Sequence, residues 1–165
     1  MRKLLGAVCV LLGGALARWV QLSAARRRRD TLAGLAAGLE QMAEEIRMAR
    51  TPMPSLLDCL ARSRRGPERT FFRLGAETLA HGAELPEAWQ RAVDILDLPS
   101  QALAVLEELG QNLRGDEEKV CKALSLAASR LEKQLADWDE RQPEAEKRTT
   151  ALWFSASALL VILLI

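Results

Sequence analysis

Residues 30–50, "DTLAGLAAGLEQMAEEIRMAR", decide the fold class. Leu32, Leu35, Leu39, Met42, Ile46 and Ala49 recur at steps of three and four, which places them on one face of an α-helix and the charged residues behind it. A strand would need alternation at every second residue, and none is present. Asp30 stands where an N-cap is expected, and Pro52 is expected to end the helix, because the residue before a proline is pushed out of the helical region.

The same reading extends downstream. "TPMP" (51–54) restarts a short helix carrying Leu56, Leu57 and Leu60, closed by "RRGP" (64–67). Residues 67–82 predict a third helix using Phe71, Phe72, Leu74 and Leu79, with Gly82 as its C-terminal cap. Pro86 belongs in the first turn of a fourth, whose face is Ala88, Trp89, Val93 and Leu96. A fifth begins at Pro99 or Ser100 and uses Leu103, Leu106, Leu109 and Leu113. Gly115 is expected to end it and Asp116 to cap a sixth, with Val120, Leu124, Ala127, Leu131, Leu135 and Trp138 as its seam. Pro143 is expected to kink that helix. The middle of the chain is therefore an all-α bundle of about six helices.

The ends differ in character. All 22 Asp and Glu lie between Asp30 and Glu146, and outside 26–148 the only basic residues are Arg2, Lys3 and Arg18. Residues 4–25 form a largely apolar run of 22 residues, long enough for one helical span. Arg18 would then snorkel toward the interface and Trp19 sit in the aromatic belt. "MRK", an apolar stretch and "ALA" before Arg18 also resemble a cleavable signal peptide, which gives the alternative of an exported helical protein held by a C-terminal anchor. Residues 149–165, "TTALWFSASALLVILLI", carry no charged side chain and extend about 25 Å as a helix, slightly short of a hydrocarbon core of about 30 Å. The division is 1–25 first transmembrane helix, 26–148 bundle and 149–165 second transmembrane helix. The flanks Arg26, Arg27, Arg28, Arg29, Lys147 and Arg148 make the middle cytoplasmic under the positive-inside rule, against a weak opposite pull from Arg2 and Lys3.

Little chemistry is encoded. There is no GxxxxGK[ST], HExxH or GxSxG, and His81 is the only histidine. Cys9, Cys59 and Cys121 are far apart and read as buried free thiols. Glu44 and Glu45 adjoin on a helix, so their side chains diverge onto a solvated face. His81, one residue before Gly82, suits a helix C-terminus. Small residues in the first run, Gly13 with Ala17 or Ala7 with Gly14, would let another helix approach. The net charge of +1 favours no nucleic-acid partner, and the arginine run is explained as a membrane flank that is also able to bind anionic lipid. No catalytic, cofactor or metal site is expected.

Several short motifs carry a resemblance. "KLLGA" (3–7), "EI" at Glu45–Ile46 followed by "TP" (51–52), "AW" at Ala88–Trp89 and "LEELGQNLRGDEEKVCKAL" (106–124) occur in an order that resembles the stage III sporulation protein AB family along the whole chain. In that family the connector reads Leu-Gly-x-x-Leu-Gly, then Asp, then Gln. Leu109, Gly110, Leu113 and Asp116 fit it. Arg114 stands at the second glycine, Gly115 comes one place late, and Val120 occupies the Gln position. The resemblance implies a non-enzymatic component of the mother-cell membrane around the forespore, in the channel or secretion-like complex that links the two cells. It also implies a bundle similar to the cytoplasmic domain of the type II secretion and type IV pilus platform protein. The partners implied are other stage III channel proteins and a cytoplasmic ATPase, with self-association left open.

Overall fold

A computed structural model describes the backbone of residues 2–49 and 51–164 and the side chains of residues 19, 20, 22–49 and 51–140. Among these the chain forms six α-helices and no strand: α1 Arg2–Ala49, α2 Met53–Ser63, α3 Arg69–Ala80, α4 Leu85–Asp94, α5 Ser100–Asn112 and α6 Glu117–Leu164.

The two long helices organise the rest. Arg29 on α1 meets Asp139 on α6, while Ala43 and Arg47 meet Cys121. Partner numbers fall along α6 as they rise along α1, so the pair is antiparallel. The four short helices then follow in a ring, each against its predecessor, until α5 returns to α6. Short links force this arrangement, because a link of a few residues leaves successive helices side by side.

The seam predicted on 30–50 is the spine of the core. Leu32, Leu35, Leu39, Met42 and Ile46 are buried with Leu57, Leu60, Phe71, Phe72, Trp89, Leu106, Leu124 and Leu131. Ala49 at its end is exposed. Leu79, Leu96, Leu103, Leu135 and Trp138 are half-buried at the edge of the core, and Leu74 is half-buried without packing against it.

Prolines and a glycine punctuate the ring. α2 and α4 carry Pro in their first turn, and Pro99 precedes α5 with an extended backbone. Gly82 has φ +88°, a left-handed conformation that favours glycine, and its N–H donates to the Leu79 carbonyl at 3.0 Å to close α3.

Three expectations are corrected. Asp30 does not cap a helix: α1 runs through it, because the Ala and Arg residues before it are themselves good helix formers. α5 stops at Asn112, so Gly115 lies in the link beyond it. Cys59 is exposed rather than buried, while Cys121 is buried as expected. Cys9 and the small residues 7, 13, 14 and 17 lie outside the described side chains.

The boundaries drawn at 25/26 and 148/149 fall inside continuous helices. Among the described residues no helix is long and apolar enough to cross a membrane. Of the apolar runs of sequence, only residues 19, 20 and 22–25 have described side chains.

Candidate functional site

Two groups of residues stand out: the motif positions around Trp89 and the arginine run on α1.

Trp89 is 1% exposed and lies at the centre of the ring. The ring of Phe71 meets it edge-on, with centroids 4.9 Å apart, and meets Phe72 similarly at 5.2 Å. The indole N–H of Trp89 donates to the Leu106 carbonyl at 2.8 Å, so a buried polar atom is satisfied. Its Cδ1 lies 2.6 Å from where a Cβ on Gly110 would be. Gly110 is thus the residue that lets α5 approach the indole, and Leu109 beside it is buried in the core. The "AW" and "LG" motifs, remote in sequence, are two sides of one contact.

The other motif positions do not join this contact. Glu45, Gly115 and Asp116 are exposed. Asp116 precedes α6, and its carbonyl accepts from Val120 N–H at 3.0 Å, while its carboxylate lies 3.9 Å from Lys119. Arg114, at the family's second glycine, pairs with Glu84 at 2.8 Å. His81 follows α3, with Nδ1 2.7 Å from the Glu77 carbonyl oxygen.

Two glycines one turn apart on α1 receive the side chains of Glu68, just before α3, and Phe72 on α3. A Cβ on Gly38 would overlap Phe72 Cζ, and one on Gly34 would overlap the Glu68 carboxyl group. Glu68 is 5% exposed, and its carboxyl group also fills the space beside Gly66. Sequence reasoning missed this residue. The signal was the Gly34–Gly38 spacing beside the Leu35–Leu39 seam, a shallow stretch where another element can enter.

The arginine run divides into two pairs. Arg28 holds both carboxylate oxygens of Asp97 in the link after α4, at 2.9 to 3.1 Å. Arg29 holds Asp139 on α6 with two bonds of 2.7 Å. Hydrogen bonding to Arg29 holds the Asp139 carboxyl below its ordinary range and, with the attraction between opposite charges, outweighs the effect of burial. The same bond raises the Arg29 pKa. Arg26 and Arg27 are exposed and make no ion pair among the described residues. Lys147 and Arg148 lie outside the described side chains.

Among the described residues no three His, Cys, Asp or Glu converge on a common point. Trp89 with Gly110, Arg28 with Asp97 and Arg29 with Asp139 join helices or links that are remote in sequence.

The fold and these contacts define an all-α protein built on an antiparallel pair of long helices and buttressed by four short ones. The sequence profile of Stage III sporulation protein AB matches residues 3–165, and the chain belongs to that family. It is 28% identical to Stage III sporulation protein AB of Bacillus subtilis (strain 168) over 171 aligned positions, covering 99% of each chain. A solved structure of Stage III sporulation protein AB superposes with a TM-score of 0.62 at 24% identity, covering 71% of this chain and 97% of the other. That superposition supports the fold alone.

Proposed function

We propose that this protein is a two-span, non-enzymatic platform in the mother-cell membrane around the forespore. Its helical bundle faces the cytoplasm, and it serves the channel that links the two cells. The observation that carries this reading is the register of α1 and α6. Ten residues outward from the Arg29–Asp139 pair are Trp19 on α1 and Thr149 on α6. Continued at that register, the apolar run 149–165 lies level with the apolar head of the chain, so two helices leave the same end of the bundle together.

The register also sharpens where the membrane begins. Lys147 and Arg148 fall level with residues 20–21, next to Arg18 and Trp19. Basic and aromatic residues at one register position are what a membrane edge selects. Arg26–Arg29 then lie on the bundle side of that edge, where Arg28 and Arg29 tie α1 to its neighbours. A basic flank retained on that side keeps the bundle cytoplasmic. Membership of the sporulation family supplies the setting. The other stage III channel proteins and a cytoplasmic ATPase are the partners proposed.

Three measurements test the reading together. Carbonate washing should leave the protein in membranes, and protease added to intact cells should spare the bundle. Disrupting the gene should block sporulation after engulfment while vegetative growth stays normal. An unaffected spore count overturns the channel role, and release by carbonate overturns the two spans.

A further inference from the structure

Two arginines without an ion pair among the described residues border a groove. Arg26 and Arg27, with Trp19, Val20 and Ile95, line a cleft of about 860 Å³ between α1 and the link that follows α4. Trp19 is 68% exposed, Val20 58% and Ile95 48%. Among the described residues only five large apolar side chains are exposed, and three of them meet in this one cleft. Such clustering marks a surface that binds something, because scattered single residues are what an unused surface shows.

The cleft is polarised. Along α1, Trp19 and Val20 precede Arg26 and Arg27 by seven residues, about 10 Å of helix. Trp19 and Val20 therefore lie toward the end where the membrane reading places the bilayer, the guanidinium groups of Arg26 and Arg27 lie further in, and Ile95 lines the opposite wall beside the Arg28–Asp97 pair. The acidic groups on the walls are Asp30 and Asp97, and Asp97 is already held by both guanidinium donors of Arg28. Two cations beside an apolar strip match an amphiphile with an anionic head. A nucleic acid would find few phosphate contacts here, and an acidic peptide would leave the apolar strip without a partner.

We propose that this cleft binds the headgroup of an anionic phospholipid, with the phosphate between Arg26 and Arg27 and the start of the acyl chains against Trp19, Val20 and Ile95. The lipid seats the bundle on the membrane surface and fixes its tilt relative to the two spans. This rests on the two-span reading, which places the cleft at the bilayer.

The test uses the full chain with Cys9→Ser, Cys59→Ser and Ile95→Cys, labelled at residue 95 with the environment-sensitive nitrobenzoxadiazole dye. Cys121 is buried and stays unlabelled. Emission is compared in bilayers of phosphatidylcholine and in bilayers containing phosphatidylglycerol, and the same proteoliposomes are washed with carbonate. The proposal expects a blue shift and brighter emission in the anionic bilayer. The Arg26→Ser/Arg27→Ser variant should lose that difference, and Arg26→Lys/Arg27→Lys should keep it, since a lysine supplies the same charge. Protein that survives the carbonate wash but emits identically in both bilayers overturns the lipid site and leaves the two spans standing. Protein stripped by carbonate overturns the two spans, and the site with them.

Discussion

The indole of Trp89 lies against the bare Cα of Gly110, so closely that a methyl group at residue 110 would come within 2.6 Å of Cδ1. The indole is buried on all sides and its N–H is tied to the Leu106 carbonyl, so it has nowhere to retreat. Gly110→Ala should therefore destabilise the fold by about 1–3 kcal/mol through overpacking. The better helix propensity of alanine recovers at most about 1 kcal/mol, so the net sign is a loss. Thermal unfolding followed by circular dichroism checks it, and an unchanged or raised midpoint contradicts the contact. Trp89→Phe, which removes the N–H and part of the ring, should also lower the midpoint.

Thiol chemistry separates the cysteines that the sequence treats alike. Cys59 is exposed on α2, while Cys121 is buried, donates to the Ala43 carbonyl at 3.2 Å and lies 3.6 Å from an Arg47 nitrogen. In a Cys9→Ser background, a chromogenic disulfide reagent should titrate one thiol per native chain quickly and a second only on unfolding. Two fast thiols would mean that the α1–α6 seam is open at Cys121.

How much of this was legible depends on the range of the interaction. The Leu32–Ile46 seam and the burial of Trp89 follow from spacing along single helices, and both were readable. Asp30 misled because a polar residue ahead of an apolar face looks like a cap, although "AARRRR" before it favours helix as well. The family motifs located Gly110, but not that Trp89 is what it accommodates. The partners of Arg28 and Arg29 lie 69 and 110 residues away and depend on how α1 sits against α6 and the α4–α5 link. No local pattern encodes that distance. Two arginines destined for ion pairs and two without one among the described residues look the same in the sequence.

The Arg29–Asp139 pair gives a pH dependence with a definite sign. The folded carboxyl titrates below its unfolded value, chiefly because it accepts hydrogen bonds from Arg29. Its stabilising contribution is complete above the unfolded carboxylate pKa of about 3.9 and fades as the pH falls toward the folded value. Arg29 remains charged throughout. Asp139→Asn should thus lower the denaturation midpoint at neutral pH, and the gap from the unaltered protein should narrow in acid. The difference between the two proteins is the quantity to follow, because the Glu118 carboxyl, lowered by its bond to Lys122, titrates in the same direction in both. A gap that is constant from pH 7 to about pH 2.5, below the unfolded pKa, would mean that the pair does not form.

The antiparallel register supports the proposed placement of both apolar runs, and it can be tested by covalent chemistry. Cys121 Sγ reaches the Ala43 carbonyl, so residues 43 and 121 face each other across the α1–α6 seam. A disulfide requires Cα atoms about 4.4–6.8 Å apart, so a cysteine at residue 43 tests how closely the two helices pass at this point. In a background of Cys9→Ser and Cys59→Ser, Ala43→Cys should crosslink to Cys121 under mild oxidation and give a faster band on a non-reducing gel. Glu44→Cys, one residue along and exposed, should not, because a step of about 100° turns it off the seam. Efficient crosslinking at residue 44 with none at 43 would rotate α1 against α6. It would also separate Arg29 from Asp139, removing the geometric basis for bringing residues 149–165 alongside the head of the chain.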